Sequence, residues 1–169
     1  MSARISRHDS RILALSALFS YHLTGKDPDQ VFEDALAFYP RFSRIRRGEP
    51  GGASTARNEA ADGCPREGKS LSSYVAYAKN LFLAAVENLK TLDELIESRA
   101  EGWTVNRMPV VDRCILELAL AEVMYAGDAP TEVVLDEAVN LAKEYGTADT
   151  PAFVNGLLMG ILRERLSPA

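Results

Sequence analysis

Residues 109–126, PVVDRCILELALAEVMYA, leave this chain few ways to fold. The run is apolar on nearly every side and is broken only by Asp112, Arg113, Glu117 and Glu122. A surface helix carries one apolar stripe, whereas a helix that is apolar all round needs neighbours on all sides. The run is too long for an ordinary buried strand, so length decides for a helix. Such a helix belongs at the centre of a bundle. It is not a membrane span, because no stretch of the chain reaches the roughly 18 uninterrupted apolar residues a span needs.

The rest of the chain supplies the neighbours. Leu71 to about Arg99 reads as one long amphipathic helix, with Tyr74, Ala78, Leu81, Ala85, Leu89, Leu92 and Ile96 on a repeating face. Asp128-Ala129-Pro130-Thr131 restarts the chain, and Val134, Ala138, Leu141, Ala142 and Tyr145 mark the buried side of the next helix, which Gly146 stops. Thr150-Pro151 opens the last helix with a cap and a proline at the first position. Asn155-Gly156 and Gly160 fall inside that helical pattern, which predicts close helix–helix approach, since glycine has no side chain to obstruct it. At the other end, a first helix from about Ser6 to Leu23 lines Ile12, Leu15, Phe19 and Leu23 on one face and stops at Thr24-Gly25. Asp27-Pro28-Asp29-Gln30 starts a second, with Asp27 as cap and Gln30 reaching back to it. That helix ends at Pro40. No alternating period-two run is long enough for a sheet, so the fold class is all-α.

Residues 41–70 break the pattern. They hold five glycines and no apolar period, and they read as a disordered insertion in a single helical domain spanning 1–169. Arg41, Arg44, Arg46 and Arg47 crowd its start, and arginine-rich segments of this kind can order on RNA.

Charge and cysteine usage narrow the function classes. The net charge is −5, but residues 1–70 carry 11 Lys and Arg against 9 Asp and Glu, while residues 71–169 carry 8 against 15. A chain so balanced does not bind nucleic acid through its overall field, so any RNA contact has to come from a local basic patch. Cys114 lies in the apolar helix and reads as a small buried hydrophobe, while Cys64 lies in the glycine-rich segment. His8 and His22 stand near neither cysteine, so no zinc ligand set and no other metal is expected. Met1 to Arg11 is polar, without the apolar core of a signal peptide, which places the protein in the cytoplasm. Phosphate loop, dinucleotide turn, nucleophile elbow and metal pair are all missing, so an enzyme and its cofactors are not expected.

The sequence resembles a known family in its C-terminal half. Residues 106–126, NRMPVVDRCILELALAEVMYA, and 131–157, TEVVLDEAVNLAKEYGTADTPAFVNGL, closely resemble the signature of the NusB family in order and spacing. The elements that carry the likeness are VDRCILELALAEV, EAVNLAKEYG and the tetrad FVNG of Phe153 to Gly156. SRILALSALFSYHL near the N-terminus resembles the helix that opens the family fold. The resemblance implies a compact bundle of about seven helices in two packed halves. It also implies binding of single-stranded boxA-type RNA together with NusE, the small-subunit ribosomal protein with a second role in transcription. That complex joins RNA polymerase in antitermination, on rRNA operons above all.

Site residues follow from both sources. Arg4, Arg7 and Arg11 recur at three- and four-residue spacing, on one stripe if the helix begins that early. By spacing alone the stripe reads as a solvated helix face. The resemblance implies an RNA-binding element, its guanidiniums holding phosphates and stacking on unpaired bases. Phe19 stands where the family usually has tyrosine, keeping the ring without the hydroxyl. Phe153 matches an aromatic that contacts RNA in the family, with a core anchor as the alternative. Asp149 matches a position near that RNA site and also suits a helix start. Asn155 bonds locally or faces RNA. Asp112 matches a family acid that faces NusE, and Arg113 joins it at the partner interface, with an Arg113–Glu117 pair within the helix as the alternative.

Three departures keep other readings open. His8 and Asp9 replace consecutive basic residues of the family, and Ala152 replaces a basic residue before FVNG. Each lost phosphate contact weakens RNA binding. The second reading is therefore a helical bundle that docks NusE with weak or no RNA binding. A homodimer that covers the RNA surface until NusE arrives is a third arrangement. A NusB-like domain also opens certain rRNA cytosine methyltransferases, but the chain ends at Ala169 with no catalytic domain expected.

Overall fold

A serine and an aspartate lock the start of the first helix. In the computed structural model, which describes residues 5–39, 71–127 and 129–166, Ser6 is the N-cap of helix α1 (Arg7–Thr24). The Ser6 hydroxyl accepts the Asp9 N–H at 3.3 Å, and the Asp9 carboxylate accepts the Ser6 N–H at 2.9 Å. This reciprocal box satisfies two backbone donors that a helix start leaves open. The other end closes as the sequence predicts, with Gly25 at φ 60° returning its N–H to the Tyr21 carbonyl at 2.9 Å.

The chain divides into two compact units, residues 1–83 and 84–169. In the first, α1 packs on α2 (Pro28–Phe38). Asp27 caps α2 by accepting the Gln30 N–H at 3.2 Å. The Gln30 side chain does not reach back to the cap as expected; its amide donates forward to Asp34 at 2.9 Å, one turn along. Leu13, Ala14, Ala17 and Leu18 are fully buried on α1 alongside Ile12 and Leu15, whereas Leu23, expected on the core face, is 62% exposed in the last turn. Phe32 of α2 stacks on Phe82 of α3 (Leu71–Glu87) with ring centroids 5.9 Å apart, and Tyr21 meets the same ring edge-on at 6.4 Å. Rings of that size stabilise a unit by about 2–3 kcal/mol each when fully buried. The Ser10 hydroxyl donates to the Tyr74 carbonyl at 2.9 Å and pins α1 to α3.

The second unit is built around the apolar run. Helix α4 is Leu89–Arg99, α5 is Val110–Ala121, α6 is Thr131–Tyr145 and α7 is Thr150–Leu166. α5 packs against α4, α6 and α7, with Cys114, Ile115, Leu116, Leu118, Leu120 and Ala121 buried, so the central position read from its composition is the one it takes. Its α-helical hydrogen bonding ends earlier than the apolar pattern, at Ala121. A wider turn of π type then runs over Glu122–Ala126 and closes with the Gly127 N–H on the Glu122 carbonyl at 2.9 Å.

The long stretch from Leu71 to Arg99 is two helices, not one. Asn88 leaves the helical region at φ −116°, ψ 12°, and its side-chain amide donates to the Ala84 carbonyl at 2.8 Å. An asparagine that bonds the preceding turn competes with the backbone ladder. The apolar face carries on across the break through Ala85, Leu92 and Ile96, all fully buried, which is why periodicity does not show it. Tyr145 is a further correction: it closes α6 with 46% of its surface exposed, while Val134, Ala138, Leu141 and Ala142 are buried as expected.

Among the described residues there are seven α-helices and no strand, and the protein is all-α. No helix among them is long and apolar enough to cross a membrane. The segment 41–70 with its arginines and Cys64, as well as Arg4 and Asp128, lies outside the described residues.

Candidate nucleic-acid interface

Arg7 is the first residue of α1 and Arg11 follows one turn later, so both point from the same stripe. The ring of Tyr77 on α3 meets them. The guanidinium carbon of Arg7 lies 4.8 Å from the ring centroid and that of Arg11 lies 5.8 Å from it. Both distances fall within the roughly 6 Å reach of a cation on an aromatic face. Arg7 is half-buried, while Arg11 retains only 3% of its surface. The Arg7 guanidinium is therefore the more accessible of the two. Asp9, which the sequence sets among these cations, is buried as deeply, and its carboxylate is engaged by the Ser6 N–H and hydroxyl, both at 2.9 Å. Its first task is to cap the helix. Phe19 sits half-buried two turns beyond Arg11, about 12 Å along the helix axis.

The candidates of the second unit fall on three surfaces. Asp149 is exposed and its carbonyl accepts the Phe153 N–H at 3.1 Å, so this acid and the half-buried Phe153 ring share the opening turn of α7. Asn155 lies two residues on, about 200° around the helix from Phe153. It faces instead a shallow groove between α6 and α7 lined by Asp136, Asn140, Lys143, Pro151 and Ala152. Gly156 does not serve a close approach, nor does Gly160: a Cβ added at either would have nothing within 4 Å. Their helix face is open where the sequence predicts contact.

Asp112 and Arg113 are tied into the unit itself. Asp112 keeps 7% exposure, and its Oδ1 accepts the Thr150 hydroxyl at 3.1 Å. Burial raises its pKa above the usual carboxylate range, and the Thr150 hydrogen bond pulls the other way. Thr150 is the first residue of α7, not the expected cap; its oxygen also accepts the Thr147 N–H at 2.9 Å. Arg113 forms the expected pair with Glu117, Nε to carboxylate at 2.7 Å, and a second that the sequence does not reveal, with Asp93 of α4 at 2.7 Å. Burial works against the Arg113 charge, but Glu117 and Asp93 outweigh it and raise the pKa. Cys114 is buried and its thiol is pushed well above the ordinary range, mainly by desolvation, so it is inert packing as read.

Tyr77, Asp93 and Thr147 are the residues that sequence reasoning misses. Tyr77 and Asp93 act on partners in another helix, which a periodic pattern does not report, whereas Thr147 meets Thr150 only three residues on. Tyr77 did carry one local signal, an aromatic three residues after Tyr74 on the apolar-periodic stretch.

Fold and surfaces together define an all-helical protein whose candidate sites are cations backed by an aromatic and polar groups at a helix start. The family model for NusB matches residues 48–163, beginning inside the segment read as an insertion. A transcription antitermination protein NusB from Symbiobacterium thermophilum is 36% identical over 159 residues, covering 94% of this chain and 90% of that protein. A crystal form of NusB from T. maritima matches with TM-score 0.70 at 30% identity, covering 96% of this chain and 94% of that one. Antitermination factor NusB in complex with NusE and double-stranded RNA shares the fold, with TM-score 0.68 at 23% identity over 94% and 96% of the two chains. The chain belongs to the NusB family.

Proposed function

We propose that this protein is a transcription antitermination factor that binds single-stranded boxA-type RNA together with NusE, working in the cytoplasm by binding and not by catalysis. Family membership supports the role, and a protein of this fold has been captured with NusE and RNA. The observation that carries the RNA reading is the arginine pair at the start of α1, both guanidiniums within 6 Å of the Tyr77 ring. Packed cations of this kind meet phosphates with little further loss of side-chain freedom. Arg4, three residues before Arg7 in the sequence, is proposed as a further RNA contact. Phe19, Asp149, Phe153 and Asn155 are proposed as further RNA contacts, the Phe153 ring as a stacking platform and Asp149 and Asn155 as hydrogen-bonding groups. The start of α5, with Asp112 and Arg113, is proposed as the NusE-facing surface, and the acidic balance of residues 71–169 suits a basic ribosomal protein. Joining RNA polymerase on rRNA operons completes the role.

Binding of labelled boxA-type RNA across a salt series, with and without NusE, tests the reading. Tight binding only with NusE, weakening steeply with salt, is the expected result. NusE binding without RNA affinity at any salt would favour an interaction bundle instead.

A further inference from the structure

Two guanidiniums converge on one ring, at 4.8 and 5.8 Å from its centroid. The inner one, Arg11, is almost wholly buried, so it has no freedom to swing away. The electron-rich face of Tyr77 attracts both, since an aromatic quadrupole draws cations to it. The scaffold around it is fixed. The Ser6–Asp9 box sets where α1 starts, and the Ser10 hydroxyl bonds the Tyr74 carbonyl at 2.9 Å, one turn before Tyr77.

We propose that Tyr77 is a positioning residue for RNA binding: its ring holds the Arg7 guanidinium, alongside that of Arg11, in the orientation that receives a backbone phosphate. This rests on the RNA-binding reading above. Tyr77 acts through Arg7, so the two residues should behave as one unit when removed together.

The test is a double-mutant cycle on the full chain with NusE, using labelled boxA-type RNA over a salt series, with thermal unfolding as a check on the fold. Tyr77→Phe keeps the ring and should bind within about 2-fold of wild type. Tyr77→Leu should bind roughly 3- to 20-fold more weakly, as the loss of one cation–π contact implies. In the Arg7→Ala background, Tyr77→Leu should cost nothing further, and both single variants should flatten the salt dependence by about one phosphate contact. If Tyr77→Leu does not fold, pentafluorophenylalanine at position 77 keeps the shape and reverses the ring's quadrupole, and should weaken binding alike. Additive losses, or a Tyr77→Phe loss as large as that of Tyr77→Leu, would overturn the proposal while leaving RNA binding intact. A wild-type protein that binds no RNA at any salt would overturn both readings together.

Discussion

Thr150 donates its hydroxyl proton to Asp112 Oδ1 at 3.1 Å, joining the first residue of α7 to the first turn of α5. A hydroxyl has one proton to give, so the 3.1 Å contact between the Thr150 and Thr147 oxygens has Thr147 as its donor. Asp112 is thus the acceptor at the end of a short relay that fixes how α7 leaves the 146–149 turn, the turn that presents Asp149 and Phe153.

That relay separates a structural from a binding role for Asp112. Thr150→Val leaves the buried Oδ1 without its donor and should cost about 1–3 kcal/mol in urea unfolding. Asp112→Asn keeps an acceptor for Thr150 and removes the buried charge, so stability at pH 7 should hold or rise. If Asp112 also faces NusE, the same Asn variant should bind NusE several-fold more weakly. Unchanged NusE affinity in a stable Asn variant would confine Asp112 to the relay.

Asp93 gives the unit a pH signature. Its Oδ2 accepts from Arg113 at 2.7 Å, while its buried Oδ1 has no partner. Burial, then the fully buried Glu117 carboxyl beside it, push its pKa up from 3.8 to about 6, against the pull of Arg113. Two neighbouring carboxyls are most easily accommodated when one of them carries a proton. A carboxyl with a raised folded-state pKa favours folding at low pH, and that contribution is lost as pH rises through about 6. Asp93→Asn should therefore stabilise the protein at pH 8 by about 1–2 kcal/mol, below the roughly 3 kcal/mol of the bare shift because the side chain is partly solvated. The gain should shrink as pH falls from about 6 towards 3.8 and vanish below that value, and urea unfolding on either side of this window reads it directly. No gain at pH 8 would mean that Arg113 fully compensates the Asp93 charge.

The capping box yields a prediction that runs against the charge pattern. Asp9 looks like an anion misplaced in a basic patch, so replacing it should help RNA binding. Its carboxylate instead accepts two donors from Ser6, both at 2.9 Å. Asp9→Ala should lower stability by about 1–2 kcal/mol and loosen the start of α1, where Arg7 sits. RNA affinity should gain less than one removed charge would suggest. An Asp9→Ala protein of unchanged stability would show that the box carries no weight.

How much of this is legible in the sequence depends on the range of the cause. The stop at Gly25 and the start at Asp27-Pro28 are local chemistry, and both are readable. The central position of α5 is readable too, because burial on every side leaves its mark on every residue. The break at Asn88 is not, since the apolar face runs through it unchanged. Arg7 and Arg11 can be found by spacing, but Tyr77 lies 66 residues beyond Arg11, and no pattern along the chain links them. Spacing alone makes the arginines a solvated face; only the likeness to a family turns them toward RNA.

Two glycines of the second unit make the same contrast testable. Gly146 stops α6 as the sequence predicts, but not through a left-handed backbone: it is extended, at φ −92° and ψ −171°. A Cβ there would lie 2.5 Å from the Thr150 side chain and 2.7 Å from the Ala142 carbonyl oxygen. Gly146→Ala should therefore cost about 1–3 kcal/mol by overpacking and disturb the Thr150–Asp112 contact. Gly156, the last residue of FVNG, has nothing within 4 Å of an added Cβ, so Gly156→Ala should stabilise α7 by up to about 1 kcal/mol. Denaturant unfolding of the two variants checks both signs. Binding of RNA and of NusE by Gly156→Ala is a separate readout. A more stable protein with weakened binding to either partner would mean that the bare helix face at Gly156 is kept open for contact, whereas unchanged binding would leave the glycine without a role in this surface.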